Sequence, residues 1–228
     1  YTFSITEKKP KLKARLSTFM NESFNKFIET ISLTKNQRED AITKYIGVCK
    51  TLNTEFYNSE YSDSVKFLFG SYKKRTTISH PDKDVDVIFK IPREKFEEYQ
   101  KQENGPSNLL TKVKNTLKDT YSTTDEIKNW TKVVLIDFTT FKVEVLPAFE
   151  REDKKFIIPN TGDGEDWVVF DPRKEVDNFE NSNKNTNELT RNLIKIIKKW
   201  KTETKNVNIK TYILDAYIID LGLDNFRH

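Results

Sequence analysis

The sequence predicts an α+β fold, in which a mixed sheet is flanked by helices and followed by a helical C-terminal segment. Two observations predict it. Apolar residues recur with a helical period near both ends of the chain, whereas the middle contains short runs with the alternation or β-branched content of strands. The elements follow the order helix, helix, strand, strand, helix, hairpin and then helices, with no internal repeat.

The bulk composition indicates a globular chain with a substantial core. It has 228 residues, 32% charged and 36% hydrophobic, which suits one large domain or two small ones. The net charge of +4 is too weak to predict a long nucleic acid as partner. The single cysteine, Cys49, excludes an internal disulfide, and no apolar run approaches the ~18 residues of a membrane span. We therefore expect a cytoplasmic protein with no membrane partner.

The first half of the chain predicts two helices and then two strands. Helical spacing is loose over residues 12–31 and clear over 42–56, where Cys49 falls on the apolar face. Strands are predicted at residues 65–69 and 85–91, with a basic loop between them.

The second half predicts a helix, a hairpin and further helices. The helix covers residues 109–121 and has Pro106 in its first turn. Residues 133–138 and 141–146 form the hairpin, and Pro147 ends its second strand. The polar run 178–187, whose sole apolar anchor is Phe179, is predicted to be a linker. The final helices cover 189–200, with Trp200 in the core, and 212–221.

A Gly-Ser turn and two carboxylates are the most informative local pattern. Gly70 and Ser71 follow the first predicted strand, and their backbone N–H groups and hydroxyl suit a phosphate tail. Asp84 and Asp86 begin the second strand. Because a strand has a period of two, both carboxylates lie on one face, about 7 Å apart along the chain. Carboxylate oxygens are ligands for hard divalent cations.

Glu144 is the natural third carboxylate. Its strand can lie beside the strand of Asp84 and Asp86 and present the side chain to the same point. Nucleotidyl transfer commonly uses two metal ions that carboxylates bridge. An alternative stays open, since Glu144 could instead pair with Lys142 on an exposed strand.

Four stretches resemble the CD-NTases, bacterial cyclic-oligonucleotide synthases related to animal cyclic GMP-AMP synthase and oligoadenylate synthase, in the DNA-polymerase-β nucleotidyltransferase superfamily. Residues 70–78 match the family's Gly-Ser-aromatic-x-Arg-Gly-Thr-x-Ile, and residues 141–149 match a strand that ends in Val-Pro-Ala-Phe. Residues 167–172 match Trp-x-x-x-Asp-Pro, and residues 193–215 match a Lys-x-Trp helix followed by Ser-Tyr-x-Leu-Glu.

The resemblance implies a polymerase-β-like nucleotidyltransferase core and a domain plan. An N-terminal helix at residues 1–32 packs across both lobes, and the core follows at 33–177. The linker at 178–187 then leads to a helical domain at 188–228, which we expect to be incomplete.

The resemblance also implies roles for individual residues. Gly70, Ser71, Lys198 and Thr211 bind the nucleotide phosphates, and for Lys198 a solvated face of a basic helix stays open as the alternative. The acids Asp84, Asp86 and Glu144 are catalytic and hold two Mg²⁺ ions, which Mn²⁺ can replace. The substrates are nucleoside triphosphates, ATP foremost, which are joined into a cyclic di- or trinucleotide with release of pyrophosphate. Anti-phage signalling and a regulatory protein partner are implied as well.

Two departures from the family pattern keep other functions open. Glu144 stands where the family has Asp, and Arg75 stands where it often has Gly. One alternative is transfer to an RNA 3′ end, a protein or a small molecule. The other is a nucleotide-binding pseudoenzyme. Residues 73–75 could contact phosphate or could be exposed loop charges.

Overall fold

The computed structural model of the chain describes residues 8–81, 83–124, 126–162 and 164–222. Residues 1–7 of the predicted N-terminal helix and residues 223–228 of the helical segment lie outside this range. No helix in the described parts of the chain combines the length and the apolar character that crossing a membrane requires.

The helices lie near both ends of the chain and between the strands of the sheet. Their bounds are α1 Lys8–Ile31, α2 Lys35–Tyr57, α3 Gly70–Lys73, α4 Glu94–Gln100, α5 Gly105–Thr120, α6 Pro172–Asn185, α7 Leu189–Glu203 and α8 Thr211–Asp220. A capping box between Thr34 and Gln37 fixes the start of α2. Cys49 is buried in that helix, as predicted.

The strands form a mixed sheet, as predicted. Their bounds are β1 Lys66–Leu68, β2 Asp84–Lys90, β3 Glu126–Asn129, β4 Val134–Asp137, β5 Lys142–Glu150, β6 Phe156–Asn160 and β7 Asp166–Phe170. The main order is β1-β2-β5-β4-β3, and β6 and β7 extend from β5. Strands β2 and β5 are parallel, whereas β4 and β5 form the predicted antiparallel hairpin.

Strand β5 runs past Pro147 to Glu150, so the prediction that the proline ends it is wrong. The Ala148 carbonyl accepts a hydrogen bond from Ile91 N–H on the β2 side of the strand, so Pro147 turns its backbone to the opposite side. On that side β4 pairs only as far as Val145, and β6 begins to pair at Phe149. The missing N–H of Pro147 falls in the gap between the two partners, where no sheet hydrogen bond is lost.

Most of the run predicted as a linker is helical, because residues 178–185 belong to α6. The single apolar anchor is sufficient, since Phe179 is fully buried with Ile194 of α7 and Ile218 of α8. The chain then turns into α7 through Asn187 and Glu188, both with positive φ. Trp200 differs from its prediction as well, because it is 50% exposed on α7 instead of lying in the core. The division into domains stays a prediction.

Candidate active site

The turn after β1 brings the backbone of Gly70 against a carboxylate. Gly70 has φ +62, and a Cβ placed on it would lie 1.9 Å from Asp86 Oδ2. The position therefore needs glycine for its left-handed backbone and for the close approach. The next residue, Ser71, shares a hydrogen bond of 2.9 Å between its Oγ and Thr77 Oγ1, and its carbonyl accepts from Thr76 N–H. Together these contacts fold the turn back on itself.

The acidic side chains share one face of β2 and β5. Val85 and Val87 point into the core and are fully buried, so Asp84 and Asp86 face the other way. The parallel register places Asp86 directly beside Glu144. The structure therefore brings the three predicted acids together on the sheet.

Burial and mutual repulsion act on these acids. Burial raises the pKa of Asp86 well above its usual range, and the charges of Asp84 and Glu144 raise it further. Burial also raises the pKa of Asp84, although the charge of Lys198 opposes this shift. Burial raises the pKa of Glu144 as well, and the charge of Asp84 raises it further. Crowded, desolvated carboxylates are a donor set that a divalent cation would neutralise. As they stand, no three His, Cys, Asp or Glu side chains among the described residues are close enough to hold an ion.

A cavity of about 680 Å³ opens in front of the acids; we call it the front cavity. Among the predicted site residues, those that line it are Gly70, Ser71, Asp84, Asp86, Lys198 and Thr211. Glu144 is not part of the lining and lies beside Asp86 on the sheet.

Lys198 reaches the front cavity from α7. Its Nζ donates to Thr76 Oγ1 at 3.1 Å and lies 3.6 Å from Asp215 Oδ2. Burial lowers the pKa of Lys198, although the charge of Asp215 opposes the shift. Thr211 is the first residue of α8 and lines the same cavity.

Residues 19–183 match the sequence profile of the Second Messenger Oligonucleotide or Dinucleotide Synthetase domain. The chain belongs to this family. No curated protein matches the sequence.

Solved structures of low sequence identity share the fold of this chain. CdnC of E. coli MS115-1, in a complex with HORMA-deltaN, is 18% identical and superposes with a TM-score of 0.61 over 90% of this chain and 63% of CdnC. DncV of Vibrio cholerae, bound to 3'-deoxy ATP, is 12% identical with a TM-score of 0.66 over 86% of this chain and 69% of DncV. The CD-NTase CdnG of Bradyrhizobium diazoefficiens, in complex with GTP, is 13% identical with a TM-score of 0.64 over 87% of this chain and 69% of CdnG. The chain thus spans less than two thirds of the CdnC chain.

Sequence reasoning missed a buried ion-pair cluster beside the front cavity. Lys74 is only 2% exposed, and its Nζ donates to Glu175 Oε1 at 2.7 Å and to Asp215 Oδ2 at 2.9 Å. Burial by itself would lower the pKa of Lys74, but the interactions with Asp215 and Glu175 outweigh burial and raise the pKa. The cluster ties the end of α3 to α6 and α8. Asp215 stands within the resembling stretch 193–215, which was the one available signal.

Replacing Lys74 by methionine is expected to lower the free energy of unfolding by about 3–5 kcal/mol. The reason is that the variant leaves the buried Asp215 with one partner, Lys198, at 3.6 Å. Urea unfolding checks the value. The control is Lys73→Met at the exposed neighbouring position, which should lower the free energy of unfolding by less than ~0.5 kcal/mol. A second change, Asp215→Leu, should restore much of the loss. Equal stabilities of the Lys74 and Lys73 variants would contradict the assignment.

Proposed function

We propose that the chain is a metal-dependent nucleotidyltransferase that joins nucleoside triphosphates into a cyclic di- or trinucleotide second messenger and releases pyrophosphate. One observation carries the proposal: the Asp84 and Asp86 carboxylates share a single cavity with the Ser71 hydroxyl and the Lys198 ammonium. Acids that suit cations therefore face groups that suit a phosphate tail.

The metal proposal rests on the crowding of the acids. Asp84, Asp86 and Glu144 would hold two Mg²⁺, or Mn²⁺ in their place. Burial raises the pKa of all three carboxyls, and neighbouring acids raise the pKa of Asp86 and Glu144 further, so bound cations would offset the desolvated negative charge. When bound, the ions supply activation of a hydroxyl and neutralisation of developing phosphate charge. Glu144 stands next to Asp86 on the sheet and would complete the set from outside the cavity lining.

The remaining residues would bind and orient the triphosphate. Ser71 keeps its hydroxyl within the turn through Thr77, so it is already positioned to donate to a phosphate oxygen. Lys198 has its Nζ beside Thr76 Oγ1, where it would bind the terminal phosphates. Thr211 lines the same cavity and would add a second hydroxyl. A ribose hydroxyl of a second nucleotide would then attack the α-phosphate, with pyrophosphate as the leaving group.

Several finer points belong to the same proposal. ATP is the foremost substrate, and the complexes of CdnG with GTP and of DncV with 3'-deoxy ATP support purine nucleotides. The complex of CdnC with HORMA-deltaN supports a regulatory protein partner. We place the activity in the cytoplasm, where nucleoside triphosphates are available, and in bacterial anti-phage signalling.

The decisive experiment incubates the chain with all four ribonucleoside triphosphates and Mg²⁺ or Mn²⁺, treats the mixture with phosphatase and identifies products by mass. A phosphatase-resistant cyclic product and released pyrophosphate are expected, and both should vanish with EDTA. Label on added RNA or on protein, without a small product, would favour the other acceptors. Nucleotide binding without pyrophosphate release would indicate a pseudoenzyme.

A further inference from the structure

A second cavity is lined by Lys73 and Arg75 and by neither Asp84 nor Asp86; we call it the rear cavity. It measures about 690 Å³, as large as the front cavity. Its walls come from Ser32 and Leu33 after α1, from α2, from Leu68 of β1, from the segment 72–77 and from α7 with the preceding Glu188. Thr77 lines both cavities, so the segment 72–77 is a wall that the two share.

The rear cavity collects cations that have no acidic partners. Arg38, Lys73, Arg75 and Lys195 line it, and no carboxylate of the described residues lies within ion-pair distance of any of them. Glu188 is the one acid in the lining, and it is already paired with Arg191. The lining therefore carries five cationic side chains against one carboxylate, an excess of positive charge that Glu188 offsets only in part.

Lys195 shows how closely these charges face one another. It is only 9% exposed, and its Nζ donates to the neutral Ser32 Oγ at 2.8 Å. Burial lowers the pKa of Lys195, and the charges of Arg191 and Arg38 lower it further, whereas the charge of Glu188 partly opposes the shift. A buried ammonium among other cations is unfavourable unless an anion offsets it. The arrangement thus has the electrostatic character of an anion site.

The rest of the lining is apolar and aromatic. Tyr45 and Tyr72 meet edge to face with their ring centroids 6.0 Å apart, and Leu33, Leu68 and Ile42 continue the wall. An apolar wall beside a cationic one suits a ligand with both characters. We propose that the rear cavity is a second binding site, separate from the nucleotide site, for a small phosphorylated molecule whose phosphates meet the cations and whose body lies on the tyrosines.

The shared wall connects this site to the front cavity. Lys73 and Arg75 face the rear, while Lys74 between them forms its ion pairs at the front. Arg191 Nε also donates to the Lys74 carbonyl at 3.1 Å. A phosphate bound to Lys73 and Arg75 would therefore act on the same segment that positions Ser71 through Thr77.

The test separates the two cavities with inorganic tripolyphosphate as the probe, titrated calorimetrically in EDTA. Lys198→Met removes one of the four lysines that line the front cavity (Lys74, Lys198, Lys201 and Lys210) and should weaken phosphate binding there, whereas the variant should still bind one equivalent in the rear cavity. Adding Lys73→Gln and Arg75→Gln should weaken that binding at least about tenfold, because hydrogen bonds between charged groups are lost. Both positions are exposed, so folding should be retained. The matched control adds Lys101→Gln and Lys118→Gln, which change the net charge equally on remote exposed positions and should leave binding unchanged.

Three results would overturn the proposal. The first is no tripolyphosphate binding by a folded Lys198→Met chain. The second is equal weakening by the control pair, which would show an effect of net charge alone. The third is binding of duplex RNA without binding of tripolyphosphate. If Lys198→Met does not fold, Ser71→Ala combined with Thr211→Ala replaces it as the variant that weakens the front cavity. Synthesis is not required in any arm, so the result does not depend on the proposed function.

Discussion

Replacing Asp86 by asparagine is expected to lower product formation at least about 10³-fold and at the same time to raise the melting temperature. The acid is half-buried, lies against Gly70 and beside Glu144, and has its charge desolvated and repelled there. The amide keeps the shape and removes the charge. We expect a gain of about 1 kcal/mol, or a rise of about 2–4 °C for a chain of this size. Thermal unfolding in EDTA and the product assay measure the two effects.

The stability gain of the Asp86 variant should depend on pH in a defined direction. The pKa of Asp86 is raised on folding, so the ionised carboxyl lowers the free energy of unfolding of the native chain at neutral pH. This destabilisation decreases as the pH falls and the carboxyl is protonated. The difference between Asp86→Asn and the native chain should therefore shrink from pH 7 towards pH 5. Glu60→Gln, at an exposed loop position, should change neither stability nor activity. An Asp86→Asn chain that is less stable than the native chain at pH 7 would contradict the inference that the charge of Asp86 destabilises the fold.

The placement of the three acids could be predicted from the sequence because the relevant rules are local. A strand alternates its side chains, so Asp84 and Asp86 had to share a face. The Pro147 strand had the alternation of a sheet partner, and its pairing with β2 places Glu144 beside Asp86. The length of that strand could not be predicted, because the tolerance of Pro147 depends on where two other strands stop and start.

The ion-pair cluster and the rear cavity lay beyond sequence reasoning for a different reason. Lys74 meets Asp215 across 141 positions of the chain, and no spacing rule connects residues so far apart. The three consecutive basic residues Lys73, Lys74 and Arg75 also face two different cavities. Lys74 is buried beside the front cavity, whereas its two neighbours line the rear cavity. Arg75 has φ +56, which explains why glycine suits the corresponding position in the resembling family. Charge content alone does not reveal such a division.

Replacing Gly70 by alanine is expected to lower product formation about 10²-fold or more while the chain still folds. The new Cβ would lie 1.9 Å from Asp86 Oδ2 and 2.7 Å from Asp86 Cγ, so the carboxyl group must move. A displacement of about 1 Å at a reacting group costs about 10²-fold in rate. The left-handed backbone at φ +62 adds about 1–2 kcal/mol of strain, which should lower the melting temperature by several degrees.

Gly164→Ala separates the two contributions. Gly164 also has a positive φ, +126, but a Cβ there meets nothing within 4 Å, so the variant carries backbone strain without a clash. It should lose stability and keep its activity at saturating nucleotide. A Gly70→Ala chain that synthesises product as fast as Gly164→Ala would show that the position of the Asp86 carboxylate against the turn is not what the chemistry requires. The activity ratio of the two variants therefore tests the geometry of the acid, whereas their melting temperatures test the backbone.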